Sequence, residues 1–176
     1  LDRVGLPCFV KANRAGSSFG ITKVKTEEEL LPATKTAFKE DDEIIIESFL
    51  DGTEVSVGVI TWKGKVRALP VTEIISENEF FDYEAKYLGK SQEITPANIS
   101  EEKTKQVQEI AKTIYKKLKM RGFTRSEFIF HNGEPHFIEM NTTPGLSQAS
   151  ILPQQAQAAG ISLSDLYGSA IEAALK

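Results

Sequence analysis

The chain has 176 residues, 40% of them hydrophobic and 26% charged, with a formal net charge of −4. That length allows roughly 70% of the unfolded surface to be buried in one domain or two small lobes, and the acidic balance excludes the basic footprint of a nucleic-acid binder. Cys8 is the single cysteine, so no intrachain disulfide forms, and no apolar run approaches the roughly 20 residues of a membrane span.

Residues 7–12 read as a strand, with Cys8 in its apolar run as a buried, inert thiol. A small-residue stretch, 15–20, separates it from a second strand at 21–24, which makes a hairpin with a long Gly/Ser loop. Thr26 caps a helix expected to reach about Lys39, with three acids in its first turn. Residues 43–49 are a continuous β-branched run, expected as a buried strand. Asp51-Gly52 turns into an alternating strand at 54–62, and Lys63-Gly64 turns into another at 65–71. Residues 75–96 show no period and are expected as a long loop, mobile while its site is empty. Ser100 caps a helix with Val107, Ile110, Ala111, Ile114 and Leu118 at helical spacing. Residues 123–139 form a hairpin about Asn132-Gly133, and Ser162 opens a last helix running to Leu175. The chain begins Leu1-Asp2-Arg3, with neither an initiator Met nor a signal-peptide pattern, and is expected to be part of something longer.

Glu139 and Asn141 lie two residues apart, which in a strand puts both on one face. With Glu127 across the hairpin they offer hard oxygen ligands of the kind Mg²⁺ accepts. The register decides whether they meet. A two-residue turn pairing His131 with Glu134 sets Glu127 and Glu139 on opposite faces, whereas a three-residue loop with Gly133 left-handed sets them on the same face. A shared metal site therefore predicts the three-residue loop.

Lys11 precedes Gly16, Ser17, Ser18 and Gly20, so a cation and exposed backbone N–H groups could meet one phosphate. An exposed lysine beside a flexible turn is the plainer alternative, and the pattern is not a Walker loop. Glu47, Phe49, Leu50 and Glu54 surround a strand end that could offer backbone groups to adenine and carboxylates to a ribose, or could simply be solvated. Lys86 and Tyr87 could hold a phosphate or carboxylate under a lid, or lie on an exposed loop. Arg125, two before Glu127, could stabilise an oxyanion or be a surface arginine. His131 and His136 read as surface residues near the hairpin tip.

Several segments together resemble the D-alanine–D-alanine ligase family of ATP-grasp enzymes. They are Phe9-Val10-Lys11, Arg14 with the run to Ile21, Leu69-Pro70-Val71, Asp82-Tyr83-Glu84-Ala85-Lys86-Tyr87, Arg125-Ser126-Glu127, Ile138 with the run to Gly145, and Ser150-Ile151-Leu152-Pro153. They are collinear and span the chain. The resemblance implies an α+β ATP-grasp fold in two lobes, mainly antiparallel sheets with packed helices. Residues 1–60 would form part of the central lobe and 61–176 the C-terminal lobe, with the family's N-terminal domain absent from this chain.

The implied reaction joins two D-alanines through an acylphosphate at the expense of ATP, for peptidoglycan synthesis in the bacterial cytoplasm. Lys11, Gly16, Ser17, Ser18 and Lys86 would contact ATP phosphates; Glu47, Phe49 and Leu50 would hold adenine, and Glu54 the ribose. Glu127, Glu139 and Asn141 would bind two Mg²⁺, or Mn²⁺. Arg125 and Gly145 would stabilise the tetrahedral intermediate, Ser17 and Tyr87 would latch the long loop, and Lys86, Ser150 and Ile151 would take the second substrate's carboxylate. ATP and D-alanine are the implied partners, with no nucleic acid or membrane, and the full-length protein would be a homodimer. The pattern departs from the family's usual residues at Glu127 (commonly Asp), Ala15 (Glu), Ser48 (Lys), Phe81 (Tyr) and Gln148 (His). Alternatives are a D-lactate or D-serine ligase, or a nucleotide-binding module alone.

Overall fold

The computed structural model describes residues 1–14, 19–76 and 91–175. Gly16, Ser17, Ser18, Lys86 and Tyr87 lie outside the described residues, as does the stretch 77–90 of the expected mobile loop. The chain divides into two compact units, one built on Leu1–Asp51, the other on Gly52–Ile75 and Gln92–Lys176. The division falls at the Asp51-Gly52 turn rather than at 60/61, because strand β4 (Gly52–Trp62) pairs along its length within the second unit.

The first unit is a three-stranded antiparallel sheet, β2 (Thr22–Val24), β1 (Cys8–Ala12), β3 (Ile44–Ser48), with helix α1 (Glu27–Ala37). A capping box at Thr26 and Glu29 starts α1, and its first turn is acidic, matching the helix dipole. Alternation in β1 sends Cys8, Val10 and Ala12 inward, and the first two pack with Val24, Ala33 and Ala37. The expectation that β3 is buried is corrected. It lies at the end of the strand order, and Ile46 is exposed.

The second unit is a sheet in the order β7 (Ser91–Ile94), β6 (Thr72–Ser76), β4, β8 (Phe123–His131), β9 (Glu134–Asn141), with β5 (Lys65–Ala68) also paired to β4. Both β6 and β7 correct the reading of 75–96 as loop throughout, since strands form at its two ends. Helix α2 (Glu101–Lys117) is capped by Ser100, whose hydroxyl accepts from Lys103 N–H at 3.2 Å. Its Val107, Ala111 and Tyr115 pack on Val55, Val57, Val59, Phe128 and Phe130 from one sheet face. Each fully buried valine or phenylalanine among them contributes about 1.5–3 kcal/mol through the hydrophobic effect. Helices α3 (Ile151–Ala158) and α4 (Leu163–Ala174) supply Leu152, Ala156 and Leu166 to a second cluster with Ile60 and Leu69. No helix among the described residues is long and apolar enough to cross a membrane.

The hairpin turn is a two-residue one: His131 pairs with Glu134, and Asn132 and Gly133 both have positive φ, 52° and 88°. That is type I′ geometry, matched to the twist of the strands. The predicted three-residue loop is therefore wrong. The register shift it was needed for is supplied elsewhere. Phe128 pairs with Phe137, but the next pair is Glu127 with Glu139, so a bulge at Ile138 inserts one extra residue into β9.

Candidate active site

In the first unit, strand alternation sends Phe9 and Lys11 to the face away from the helix-covered core. Phe9 pairs with Glu47 on β3, and Lys11 Nζ lies 2.7 Å from Glu47 Oε2. Two residues picked for different parts of a nucleotide are thus in direct contact. At this partial exposure the ion pair is worth under about 1 kcal/mol, so an incoming phosphate could replace Glu47 at small cost. The Phe9 and Phe49 rings sit 6.0 Å apart, and Lys23 Nζ lies 3.9 Å over Phe49. Lys23 was not singled out from sequence, because the cation–aromatic contact joins residues remote in the chain. Phe49 N–H donates to Pro7 O at 3.2 Å, so that donor is engaged; Leu50 follows it, half-buried. Arg14, before the Gly/Ser stretch, is gripped by Asp41 and Asp42, with Arg14 N–H 2.7 Å from Asp41 Oδ2.

In the second unit, one register fixes the site. β4 pairs with β8 so that Ser56 meets Glu127 and Gly58 meets Arg125. β8 pairs with β9 so that Glu127 meets Glu139 and Arg125 meets Asn141. Glu54, Ser56, Gly58, Arg125, Glu127, Glu139 and Asn141 therefore share one face. Arg125 Nη2 lies 2.8 Å from Glu127 Oε1, and Glu127 is only 4% exposed, while Glu139 is exposed. Two carboxylates directly opposite each other across a ladder repel, with Cβ atoms about 5 Å apart. Arg125 offsets part of that charge, and a hard cation between the acids would offset more. Asn141 Oδ1 accepts from Thr143 N–H at 2.9 Å, which fixes the carboxamide beside them. This donor set suits a small oxygen-binding dication. Among the described residues no group of three or more His, Cys, Asp or Glu could hold a metal, so a cation bound here would need the amide as its third protein donor.

Gly145 and Ser150 lie on the loop after β9. A Cβ on Gly145 would stand 2.7 Å from Ser150 Oγ, so the missing side chain is what lets that hydroxyl approach the backbone. Ser150 caps α3 without a side-chain capping bond; instead its Oγ lies 2.9 Å from Ser147 Oγ. Ile151 opens α3, where backbone N–H groups and the helix dipole favour a carboxylate.

Three site neighbours escaped the sequence reading. Ser147 was indistinct among loop residues. Glu93 lies on the unrecognised β7; burial raises its carboxyl pKa, against the pull of Arg125. Gln155, fully buried on α3, donates to Ser56 O at 2.9 Å and Thr72 Oγ1 at 3.0 Å, and its Oε1 fills the space where a Gly58 side chain would project.

Known proteins resemble this chain along almost its whole length. The family model described as D-ala D-ala ligase C-terminus matches residues 1–172. A D-alanine–D-alanine ligase of Christiangramia forsetii is 82% identical over 175 residues, which cover 99% of this chain and 54% of the relative. That of Bacteroides fragilis is 47% identical over 173 residues, 98% of this chain and 53% of the relative. The chain spans about half the length of the curated relatives it matches. Among solved structures, VanG D-Ala:D-Ser ligase from Enterococcus faecalis superposes with a TM-score of 0.84 at 38% identity, covering 97% of this chain and 50% of that one. The Bacillus anthracis D-alanine–D-alanine ligase complexed with ATP gives 0.81 at 32% identity, covering 99% and 54%.

Proposed function

The chain belongs to the D-alanine–D-alanine ligase family, and from that premise we propose that it is the ATP- and metal-handling half of a ligase making D-alanyl-D-alanine for the cell wall. The observation that carries this reading is the bulge-set face on which Arg125, Glu127, Glu139 and Asn141 come together.

One D-alanine carboxylate oxygen attacks the γ-phosphorus of ATP, and ADP leaves. The amine of a second D-alanine then attacks the acyl carbon; phosphate leaves and the amine loses a proton. Glu127, Glu139 and Asn141 would hold two Mg²⁺, or Mn²⁺, whose contribution would be charge neutralisation at the phosphate oxygens. Lys11 and Lys86 bind phosphate oxygens, and Gly16, Ser17 and Ser18 close over them through backbone N–H groups. Glu47 and the backbone of Phe49 and Leu50 hold adenine; Glu54 takes the ribose. Arg125 and the N–H of Gly145 stabilise the tetrahedral oxyanion. Ser150, Ile151 and Lys86 orient the acceptor's carboxylate, and Ser17 and Tyr87 latch the long loop. Positioning and charge stabilisation supply most of the rate. The enzyme would act in the bacterial cytoplasm as a homodimer.

D-serine as acceptor is the second reading, favoured by the similarity to a D-Ala:D-Ser ligase. Product analysis of a full-length ligase carrying this chain, with D-alanine, D-serine and D-lactate in competition, decides between them. ATP-dependent D-alanyl-D-alanine as the main product is expected. Turnover of a different acid or amine, with none of D-alanine, would reject the reading.

A further inference from the structure

We propose that Tyr167, on α4, is a positioning residue for amide-bond formation, holding the 143–150 loop so that Gly145 and Ser150 face the acceptor together; this rests on the activity proposed above. The loop leaves β9 at Asn141 and enters α3 at Ser150. It carries two groups with separate jobs, the Gly145 N–H and the Ser150 hydroxyl, and neither lies within a helix or strand. A donor geometry that must hold to a few tenths of an ångström needs anchoring from a rigid element.

The loop's ends are tied locally. Thr143 N–H donates to Asn141 Oδ1 at 2.9 Å, and Gln154 Nε2 donates to Ala149 O at 2.8 Å. Its middle is held from outside: Tyr167 Oη donates to Leu146 O at 2.6 Å, and the Leu146 side chain packs on the Ile60, Leu69, Leu152 and Leu166 cluster. A residue fixed both by its carbonyl and by its side chain has little freedom left. Gly145 is joined to Leu146 on one side. On the other side is Ser147, whose Oγ is 2.9 Å from Ser150 Oγ. Tyr167 can act as the fixed point because α4 is itself fixed to the sheet. Ser169 Oγ donates to Thr61 O on β4 at 2.6 Å, and Leu166 is buried. Ser150 also reaches the central strand through α3, whose Gln155 donates to Ser56 O, whereas the hydrogen-bonded tie from β4 to the Gly145–Leu146 segment runs through α4 and the Tyr167 phenol.

The test is Tyr167→Phe in a full-length ligase carrying this chain as its C-terminal half, since the ring and its packing stay and only the hydroxyl goes. The expected result is a kcat about tenfold lower and a KM for the second D-alanine several-fold higher, with KM for ATP and for the first D-alanine within about twofold. Ile171→Ala, on the exposed side of the same helix, should leave all these constants unchanged. Parental kcat and acceptor KM in Tyr167→Phe would overturn the proposal. So would a loss spread evenly over ATP and both D-alanines together with a lowered melting temperature, because that is general damage to the fold. If the parent itself forms no dipeptide, the activity reading fails and the proposal with it, whereas an active parent with an indifferent Tyr167→Phe removes the proposal alone.

Discussion

The two faces of the larger sheet are built from the same strands and do opposite things. At Val55, Val57, Val59, Phe128 and Phe130 the strands meet α2 in an apolar cluster with almost no exposure. One residue along each strand, Glu54, Ser56, Gly58, Arg125 and Glu127 project the other way, joined by Glu139 and Asn141. The first face is apolar core where α2 covers it; the second packs α3 and α4 at its Ile60 end and farther along holds charges that the fold would be more comfortable without. Period-two alternation lets one rigid backbone serve both, so the geometry of the polar face is inherited from the packing of the apolar one.

Breaking either face should give separable results. Glu139→Ala in a full-length ligase should cost about a thousandfold or more in turnover, on the scale of a lost electrostatic stabiliser, with the melting temperature nearly unchanged because Glu139 is exposed. Near-normal turnover would overturn the metal assignment. Phe128→Ala should do the reverse, costing about 3–5 kcal/mol in chemical denaturation of this chain while the ligand face keeps its residues. Arg125→Ala should blur the division. It removes the proposed oxyanion donor, lowering kcat by about a hundredfold more than it raises KM, and it leaves the buried Glu127 without its 2.8 Å partner, so stability falls as well. Adding Glu127→Gln should recover that stability and no activity; calorimetry of the single and double variants checks this.

The smallest effect concerns Glu93. Burial raises its folded pKa above the ordinary 4.5, so the folded state holds the proton more tightly than the unfolded one. Stability from this group is present below the unfolded value and is lost as pH rises through the folded one. Glu93→Gln should therefore melt slightly higher than the parent at pH 7 and equally at pH 3. A lower melting temperature at pH 7 would mean that attraction to Arg125 outweighs burial.

Much of this was legible in the chain itself. Alternation from Glu54 to Trp62, the spacing of Val107, Ala111 and Ile114, and Asn132-Gly133 between apolar runs gave β4, α2 and the place of the hairpin turn, though not its two-residue type, because period and turn residues are local properties while register is not. Helix α3 escaped because it is buried nearly all round, with Ile151, Leu152, Pro153, Gln155 and Ala156 inside, so no amphipathic stripe marks it. Strand β7 is four residues with no apolar alternation, and the edge position of β3 depends on which strands pair. At the site, residue types and spacing singled out Arg125, Glu127, Glu139 and Asn141. Their convergence needed a register that the sequence does not encode visibly, since nothing about Ile138 announces a bulge. The Lys11–Glu47 contact and the Glu93–Arg125 interaction escaped for the same reason: both form only after distant strands have come together.

The bulge at Ile138 bears on anyone wishing to graft this hairpin onto another scaffold. Copying Arg125, Glu127, Glu139 and Asn141 with the same Asn-Gly turn, but onto strands of regular pairing, would set Glu127 beside position 138 and send Glu139 through to the far side of the sheet. Four correct side chains would then make no binding face. The unit to transplant is the whole of β8 and β9 with the unpaired residue kept, or a hairpin one residue shorter on its second strand, in which Glu139 returns to Glu127 by simple counting.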